Sequence, residues 1–360
     1  MAVSIKDIAR LAGVSHSTVS RALRNSPLIP QKTAERIQRI AREKGYSASA
    51  VARSLVTRKT HTIGVVVTSI ADPFNGEVVE GLEETANRNG YSVILATSQA
   101  DPEREIAVVR SFQERRVDGI IVASSRVGSL YMNVLGEMNI PIVLLNNQSP
   151  GAFVHSVMID NVDGALQATR HLIELGHKRI GYIGDRFGLQ SDTERLKGYR
   201  KALTQAHLPF DKELVAHGDG KTLGAREAAA GLIGRSVPKH RRVTAVFCYN
   251  DMSALGLMEA AEAEGIQIPG DLSVVGFDDL FFASQLRPPL TTVRQPKREI
   301  GERAMDQLLS LLRETAAESR TLIKGELVVR GSTSAPPHRE EPTRRSGRGN
   351  TRRPGLRSKA

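Results

Sequence analysis

Side chains able to hydrogen-bond a nucleic acid crowd into one short stretch: Ser15, His16, Ser17, Thr18, Ser20, Arg21 and Asn25. His16 and Ser17 can reach base edges, and the Arg21 fork fits guanine. Thr18, Ser20, Asn25 and nearby backbone amides suit phosphate oxygens. The spacing around them predicts helices. Ile5, Ile8, Ala9 and Ala12 recur at helical intervals, so Ser4–Ala12 has one apolar face. Gly13 stops that pattern, and Ser15 has the chemistry of an N-cap for a second helix. In that helix Val19, Ala22 and Leu23 face inward, and His16, Ser17, Ser20 and Arg21 face out. A third pattern over Gln31–Lys44 turns Ile37, Ile40 and Ala41 inward. Two short helices across a glycine turn, with a third in support, make a helix-turn-helix whose second helix enters the major groove.

Charge agrees. Residues 1–60 hold twelve Lys/Arg against three Asp/Glu, a net +9. Residues 336–360 hold eight against two, a net +6, which leaves −4 for the middle of a +11 chain. A basic head on a mildly acidic body is the electrostatic footprint of a DNA-binding module joined to something else. The alternative is a helical hairpin whose charged face is merely solvated.

At 360 residues the chain should form two or three domains. Its single cysteine, Cys248, allows no disulfide within the chain and fits a reducing compartment. Met1–Arg10 lacks a signal-peptide run, and no stretch approaches a membrane span, so a soluble cytoplasmic protein is expected. There is no metal-ligand cluster. His171 and His177 lie off the helical repeat and read as surface or capping residues. An enzyme of dinucleotide-binding type would need Gly-x-Gly-x-x-Gly after its first strand, and Gly181–Gly188 has the wrong spacing. No Ser-His-Asp or paired-carboxylate arrangement has supporting context. Neither catalysis nor a cofactor is expected.

Beyond residue 61 the pattern alternates between strand and helix. Strands are expected at Ile63–Val67, Tyr91–Ala96, Gly119–Ala123, Ile142–Leu145, Val157–Ile159, Arg179–Gly184, Ala245–Cys248 and Ser273–Gly276. Helices are expected at Glu77–Asn89, Glu103–Arg115, Val162–Leu175, Asp192–Ala206, Ala225–Arg235 and Met252–Glu264. Such alternation implies parallel sheets wound with helices, and about a dozen strands imply two doubly wound lobes. A small ligand would lie in a cleft at the carboxyl ends of the strands.

A sugar or nucleoside needs side chains that bond two groups at once, together with an apolar face. Candidates follow the strands: Asp72, Phe74, Ser124, Asn146, Asn250 and Asp278, with Ser191 and Arg195 near a helix start. Each has a structural alternative. Asp278 and Asp279 could cap a helix, Asn250 could fix a turn, and Arg195 could close an ion pair between lobes.

Val3–Leu55, followed by Thr62-Ile63-Gly64-Val65-Val66, resembles the head and hinge of the lactose-repressor (LacI/GalR) family of bacterial transcription regulators. The body resembles it too, in Asp72-Pro73-Phe74, Arg116–Ile121, Leu175–Ile180, Asn250-Asp251 with Ala254–Gly256, Val275–Asp279 and Leu290–Val293. The resemblance implies an all-α helix-turn-helix head (1–46) joined by a hinge helix and linker (47–61) to an α/β core (62–335). That core would be periplasmic-binding-protein-like, with two doubly wound parallel-sheet lobes and crossings near Asp160 and Leu290. It implies a dimer on a pseudo-palindromic operator, with Ala52 and Leu55 on the DNA and Leu55 wedged into the minor groove. It implies a small effector between the lobes, a sugar or alternatively a purine-like corepressor, touched at the positions matching Arg195, Asn250 and Asp278. A transport-type solute-binding protein shares the body but would need an export signal and no basic head.

Two departures stand out. Ala48-Ser49 replaces the usual Pro-Asn of the hinge, and Gly220-Lys221 stands where several sugar-responsive members carry an aromatic ring. With no Trp in the chain, Phe74, Phe187 or Phe281 would have to stack on the ligand. The tail, 336–360, is basic and poor in apolar residues, which predicts disorder. It holds only Leu356, so it lacks the leucine heptads that make tetramers, and a dimer is expected.

Overall fold

The computed structural model describes residues 3–46, 59–125, 140–147, 155–234, 237–238, 241–316 and 318–337. The hinge positions 47–58, including Ala52 and Leu55, and the tail 338–360 lie outside the described residues.

The head holds α1 (Ile5–Ala12), α2 (His16–Leu23) and α3 (Gln31–Glu43). Ser4 and Asp7 form a reciprocal capping box at the start of α1, with Ser4 Oγ accepting the Asp7 N–H and Asp7 Oδ2 accepting the Ser4 N–H. Gly13 ends α1 at φ +61°, and nothing crowds the place of a Cβ there. The turn therefore selects glycine by dihedral angle rather than by space. Ile8, Ala12, Val19, Ala22 and Ile37 meet in a small apolar core.

The body follows as β1 (Thr62–Val67), α4 (Pro73–Arg88), β2 (Ser92–Thr97), α5 (Pro102–Glu114), β3 (Gly119–Ala123), β4 (Ile142–Leu145) and β5 (Ser156–Ile159). Next come α6 (Asn161–Glu174), β6 (Ile180–Asp185), α7 (Gln190–Gln205), β7 (Val215–Gly218), α8 (Thr222–Ile233), β8 (Ala245–Cys248), α9 (Asp251–Ala263), β9 (Ser273–Asp278) and β10 (Thr291–Arg294). The described chain closes with α10 (Lys297–Leu312), β11 (Arg320–Ile323) and β12 (Glu326–Val328).

Two compact units result. Unit 1 takes residues 1–159 and 296–323, and unit 2 takes 160–295 and 324–360. The return to unit 1 thus falls at Pro296 rather than near Leu290, and a third passage follows at Lys324. The sheet of unit 1 runs β11-β5-β4-β3-β1-β2 with every described pairing parallel. The sheet of unit 2 runs β12-β10-β9-β8-β6-β7, parallel except for the antiparallel β10–β12 edge. Hydrogen bonding into unit 1 starts before β1, since Asp118 accepts the Thr60 N–H at 2.7 Å and the His61 N–H at 2.9 Å.

In each sheet one strand has neighbours reached by opposite crossovers: β1 between β2 and β3, and β6 between β7 and β8. The carboxyl ends beside such a strand form the natural crevice of an open α/β sheet. The core of unit 2 is aromatic under that crevice, with Tyr182, Tyr199, Phe247 and Phe277 in ring-to-ring contact.

Candidate nucleic-acid interface and ligand site

In the head, Ser15 caps α2 by accepting the Thr18 N–H at 3.2 Å, and its hydroxyl also meets those of Ser17 and Thr18. His16, Ser17 and Arg21 are exposed, opposite the buried Val19 and Ala22. Thr18 and Ser20 are half-buried. Asn25 has φ +53°, and its Oδ1 accepts from Gln38 Nε2 at 2.7 Å while Gln38 also donates to Ala22 O. Asn25 therefore holds the turn after α2.

In unit 2, Ser191, Arg195, Asn250 and Asp278 gather beyond β6, β8 and β9. Arg195 is 5% exposed and lies on the first turns of α7. Its Nε donates to Asn161 Oδ1 at 3.0 Å and its Nη1 to Tyr249 O at 2.5 Å. The guanidinium sits 3.8 Å from the Phe277 ring centroid and 4.7 Å from that of Tyr249. Such stacking suits a flat cation that must hold one orientation. Its Nη2 stands 3.9 Å from Asp278 Oδ1, an ion pair inside one unit, not one between lobes. Asp278 also accepts from Gln295 Nε2 at 2.6 Å.

Asp278 and Asp279 do not cap a helix. They have φ of +122° and +52°, a backbone that side-chain-bearing residues rarely adopt. Arg294 and Arg330 each reach an oxygen of Asp279 at 2.7 Å. Burial works to raise the Asp279 carboxyl, but hydrogen bonds from Arg294 and Arg330 bring it below the usual carboxylate range. Asn250 caps α9 through the Ser253 N–H and donates to Gly220 O at 2.9 Å. Ser191 shares a 2.8 Å hydrogen bond with the Tyr249 hydroxyl. Burial first, then opposed by Arg195, pushes that phenol up to about 12.

Unit 1 carries the other candidates, also at carboxyl ends. Asp72 is not in a loop, because α4 begins at Pro73, not Glu77. Asp72 is its N-cap, accepting the Phe74 N–H at 3.1 Å. Proline is favoured at that first helical position because its missing N–H would have had no partner. Burial raises the Asp72 carboxyl. Phe74 is half-buried in the first turn of α4. Ser124 and Asn146 follow β3 and β4 with φ of +53° and +47°, and Asn146 Oδ1 accepts the Ile159 N–H at 3.2 Å.

Sequence reasoning missed Asn161, Tyr249, Phe277, Gln295 and Asp251, all of which touch Arg195 or the Asp278 turn. A usable signal was the Tyr-Asn-Asp order at 249–251, which puts a helix cap at a strand end. Phe187 and Phe281 are exposed, and Arg186 lies over the Phe187 ring. Gly220 takes φ +74°, and Lys221 is exposed at the start of α8. Among the described residues no group of three or more His, Cys, Asp or Glu could hold a metal, and no helix is long and apolar enough to cross a membrane. Cys248 is buried, and burial raises its thiol well above the usual range.

Comparison with known proteins adds to this geometry. Residues 4–49 match bacterial regulatory proteins of the lacI family, and residues 169–333 match the periplasmic binding protein-like domain. The HTH-type transcriptional repressor PurR of Vibrio atlanticus (strain LGP32) is 36% identical over 331 residues, covering 92% of this chain and 98% of the relative. The lac repressor dimer, solved with operator and the anti-inducer ONPF, superposes with a TM-score of 0.84 at 27% identity, over 93% of this chain and all of that one. The transcriptional regulator CelR, solved with cellobiose, gives a TM-score of 0.70 at 31% identity, over 92% and 99% of the two chains.

Proposed function

The chain belongs to the lacI family of DNA-binding transcription regulators, and from that premise we propose that it is a repressor that binds a pseudo-palindromic operator as a homodimer and answers to a sugar. The observation that carries the DNA half is the exposed stripe of His16, Ser17 and Arg21 on a helix fixed by Gly13 and Ser15. The N-terminal part of such a helix meets base edges, and Arg21 suits a guanine. Two-fold symmetry of a dimer matches two half-sites.

For the effector, Arg195 and Asp278 offer a donor and an acceptor 3.9 Å apart, a span that two neighbouring hydroxyls can bridge. Ser191 and Asn250 add short polar groups, and Phe277 and Tyr249 hold the guanidinium flat. Asp72, Phe74, Ser124 and Asn146, past the carboxyl ends of β1, β3 and β4, are kept as effector-binding candidates of unit 1 in their own right. The complex of CelR with cellobiose supports a carbohydrate. Effector and operator affinities must then change each other by the same factor. The protein would act in the cytoplasm on nucleoid DNA, without catalysing a reaction.

Two measurements test this. Selection from a random duplex pool should recover a pseudo-palindrome, and recovery of no consensus would sink sequence-specific binding. Thermal unfolding against sugars, sugar phosphates, nucleosides and purine bases should show one class of hit. A ligand at 100 times its Kd stabilises by about 2.7 kcal/mol. A shift with purines alone would replace the sugar by a corepressor.

A further inference from the structure

Arg24 closes α2 and continues the outward stripe of Ser17, Ser20 and Arg21 at the next helical repeat. Its guanidinium is not loose. Nη2 donates to Ser20 Oγ at 2.5 Å and Nε donates to Ser20 O at 3.2 Å. Both acceptors are uncharged, and among the described residues no carboxylate pairs with Arg24. Other head arginines are differently employed. Arg10 faces Asp7, Arg39 faces Glu43, and Arg36 donates to Ala12 O at the end of α1. Beside Arg24, two groups that suit phosphate keep their donor hydrogens, because only their oxygens are engaged. The Ser20 hydroxyl accepts from Arg24, and the Asn25 carboxamide oxygen accepts from Gln38.

We propose that Arg24, oriented by Ser20, is the phosphate clamp of the reading helix. This rests on the DNA-binding reading above and adds a residue and a role to it. Two of the five donors are held by Ser20, so the fork is pre-oriented and its remaining N–H groups match two oxygens of one phosphate. Position argues for phosphate over base. Base edges are met by residues within the reading helix, and Arg24 is its C-cap, one position past Leu23, where the chain leaves the groove. A phosphate contact adds affinity without sequence preference and makes it salt-dependent.

The test uses the full chain, two labelled duplexes and a salt series read by fluorescence anisotropy. One duplex has arbitrary sequence, and the other is recovered by selection with the wild-type protein. Arg24→Gln, which keeps a hydrogen bond to Ser20 without the charge, should weaken both duplexes by the same factor, about tenfold or more per head. The slope of log affinity against log salt should flatten by about 0.9 per lost contact, hence about 1.8 for a dimer. Arg24→Lys should keep most of the slope and lose part of the affinity. Ser20→Ala should weaken binding several-fold with the slope unchanged, and Ser20→Thr, which restores the hydroxyl, should recover it. Unchanged affinity in Arg24→Gln would reduce the contact to a helix-internal pair and overturn the proposal. Altered base preference at an unchanged slope would make Arg24 a base reader and overturn it as well. If the wild-type protein bound neither duplex, the DNA-binding reading itself would fail, which is a distinct result.

Discussion

Thr292 Oγ1 donates to Asp251 Oδ1 at 2.6 Å, on a carboxylate with no solvent exposure. The other oxygen accepts the Leu280 N–H at 2.7 Å. Asp251 thereby holds the end of the turn that begins with the left-handed Asp278. Gly276 makes the arrangement possible, because a Cβ there would overlap Asp251 Oδ1.

Burial, and then the charge of Asp278, push the Asp251 carboxyl up to about 8. The unfolded chain titrates near the ordinary value of 3.8. The folded state therefore keeps a proton that the unfolded state has lost. The stability this proton contributes is complete below the unfolded value and declines as pH rises toward about 8. Denaturant unfolding of the wild type should show that decline across mildly acidic to neutral pH. Asp251→Asn should lack that component, since Thr292 can reverse its hydroxyl to accept. Parallel pH curves for the two proteins would contradict the assignment.

His177 should produce the opposite slope. Its Nε2 lies 2.9 Å from Ser334 O, a pure acceptor, so Nε2 carries the proton and Nδ1 is left to accept from Thr244. Burial holds the ring below its ordinary value of 6.5. Its contribution is present above 6.5 and is lost as pH falls through the lowered value. The melting temperature of the wild type should drop more on acidification than that of His177→Gln, and an equal drop would remove His177 from the acid response. His177→Ala should cost about 1–3 kcal/mol at neutral pH through the loss of two buried hydrogen bonds, to Thr244 and Ser334.

Arg195→Ala should abolish stabilisation by whichever ligand the thermal screen finds while operator affinity without ligand stays within a few-fold. It should also lower stability by about 3 kcal/mol, because Asp278 is left buried beside no cation. Arg195→Lys should recover much of the stability and little of the ligand response, since Lys lacks the fork. Joint loss of ligand response and operator binding would point to misfolding instead.

Arg21→Ala should relax base preference at one position of each half-site, a loss of about 1–3 kcal/mol there, with other positions unchanged. Ser15→Ala should act otherwise, costing about 1 kcal/mol of head stability by removing the α2 cap. Repeated sequence selection and head unfolding separate the two effects. Unchanged selection by Arg21→Ala would remove it from base readout.

The head was the most legible part of the chain. Its helices follow a 3.6-residue period, and Gly13 and Ser15 are punctuation with a known dihedral and a known hydrogen bond. Buried strands such as Ile63–Val67 and Ile142–Leu145 were readable as continuous apolar runs. The edge strands β11 and β12 are only four and three residues long with no clear period, and Thr291–Arg294 is half threonine, so their pairing depends on partners remote in sequence. The helix expected from Glu77 begins at Pro73 because its first turn carries no apolar period and is marked only by the Asp72 cap and Pro73. At the ligand site the residue types were visible, but not their neighbours. Asn161 reaches Arg195 across 34 positions, and the positive φ of Asp278 leaves no mark on composition.

The three passages between the units also bear on how the chain is made. On a ribosome β5 emerges early, yet its outer neighbour β11 is translated only after the whole 160–295 segment. Until then Ser156–Ile159 is an unpaired sheet edge on a nascent chain, a template open to other strands. Unit 2 is completed later still, because its own edge strand β12 is translated after β11. A stalled or prematurely terminated product ending before Arg320 would keep that edge bare. Synthesis rate and chaperone supply should therefore govern the yield of this protein more than they would for a chain whose lobes follow one another in sequence.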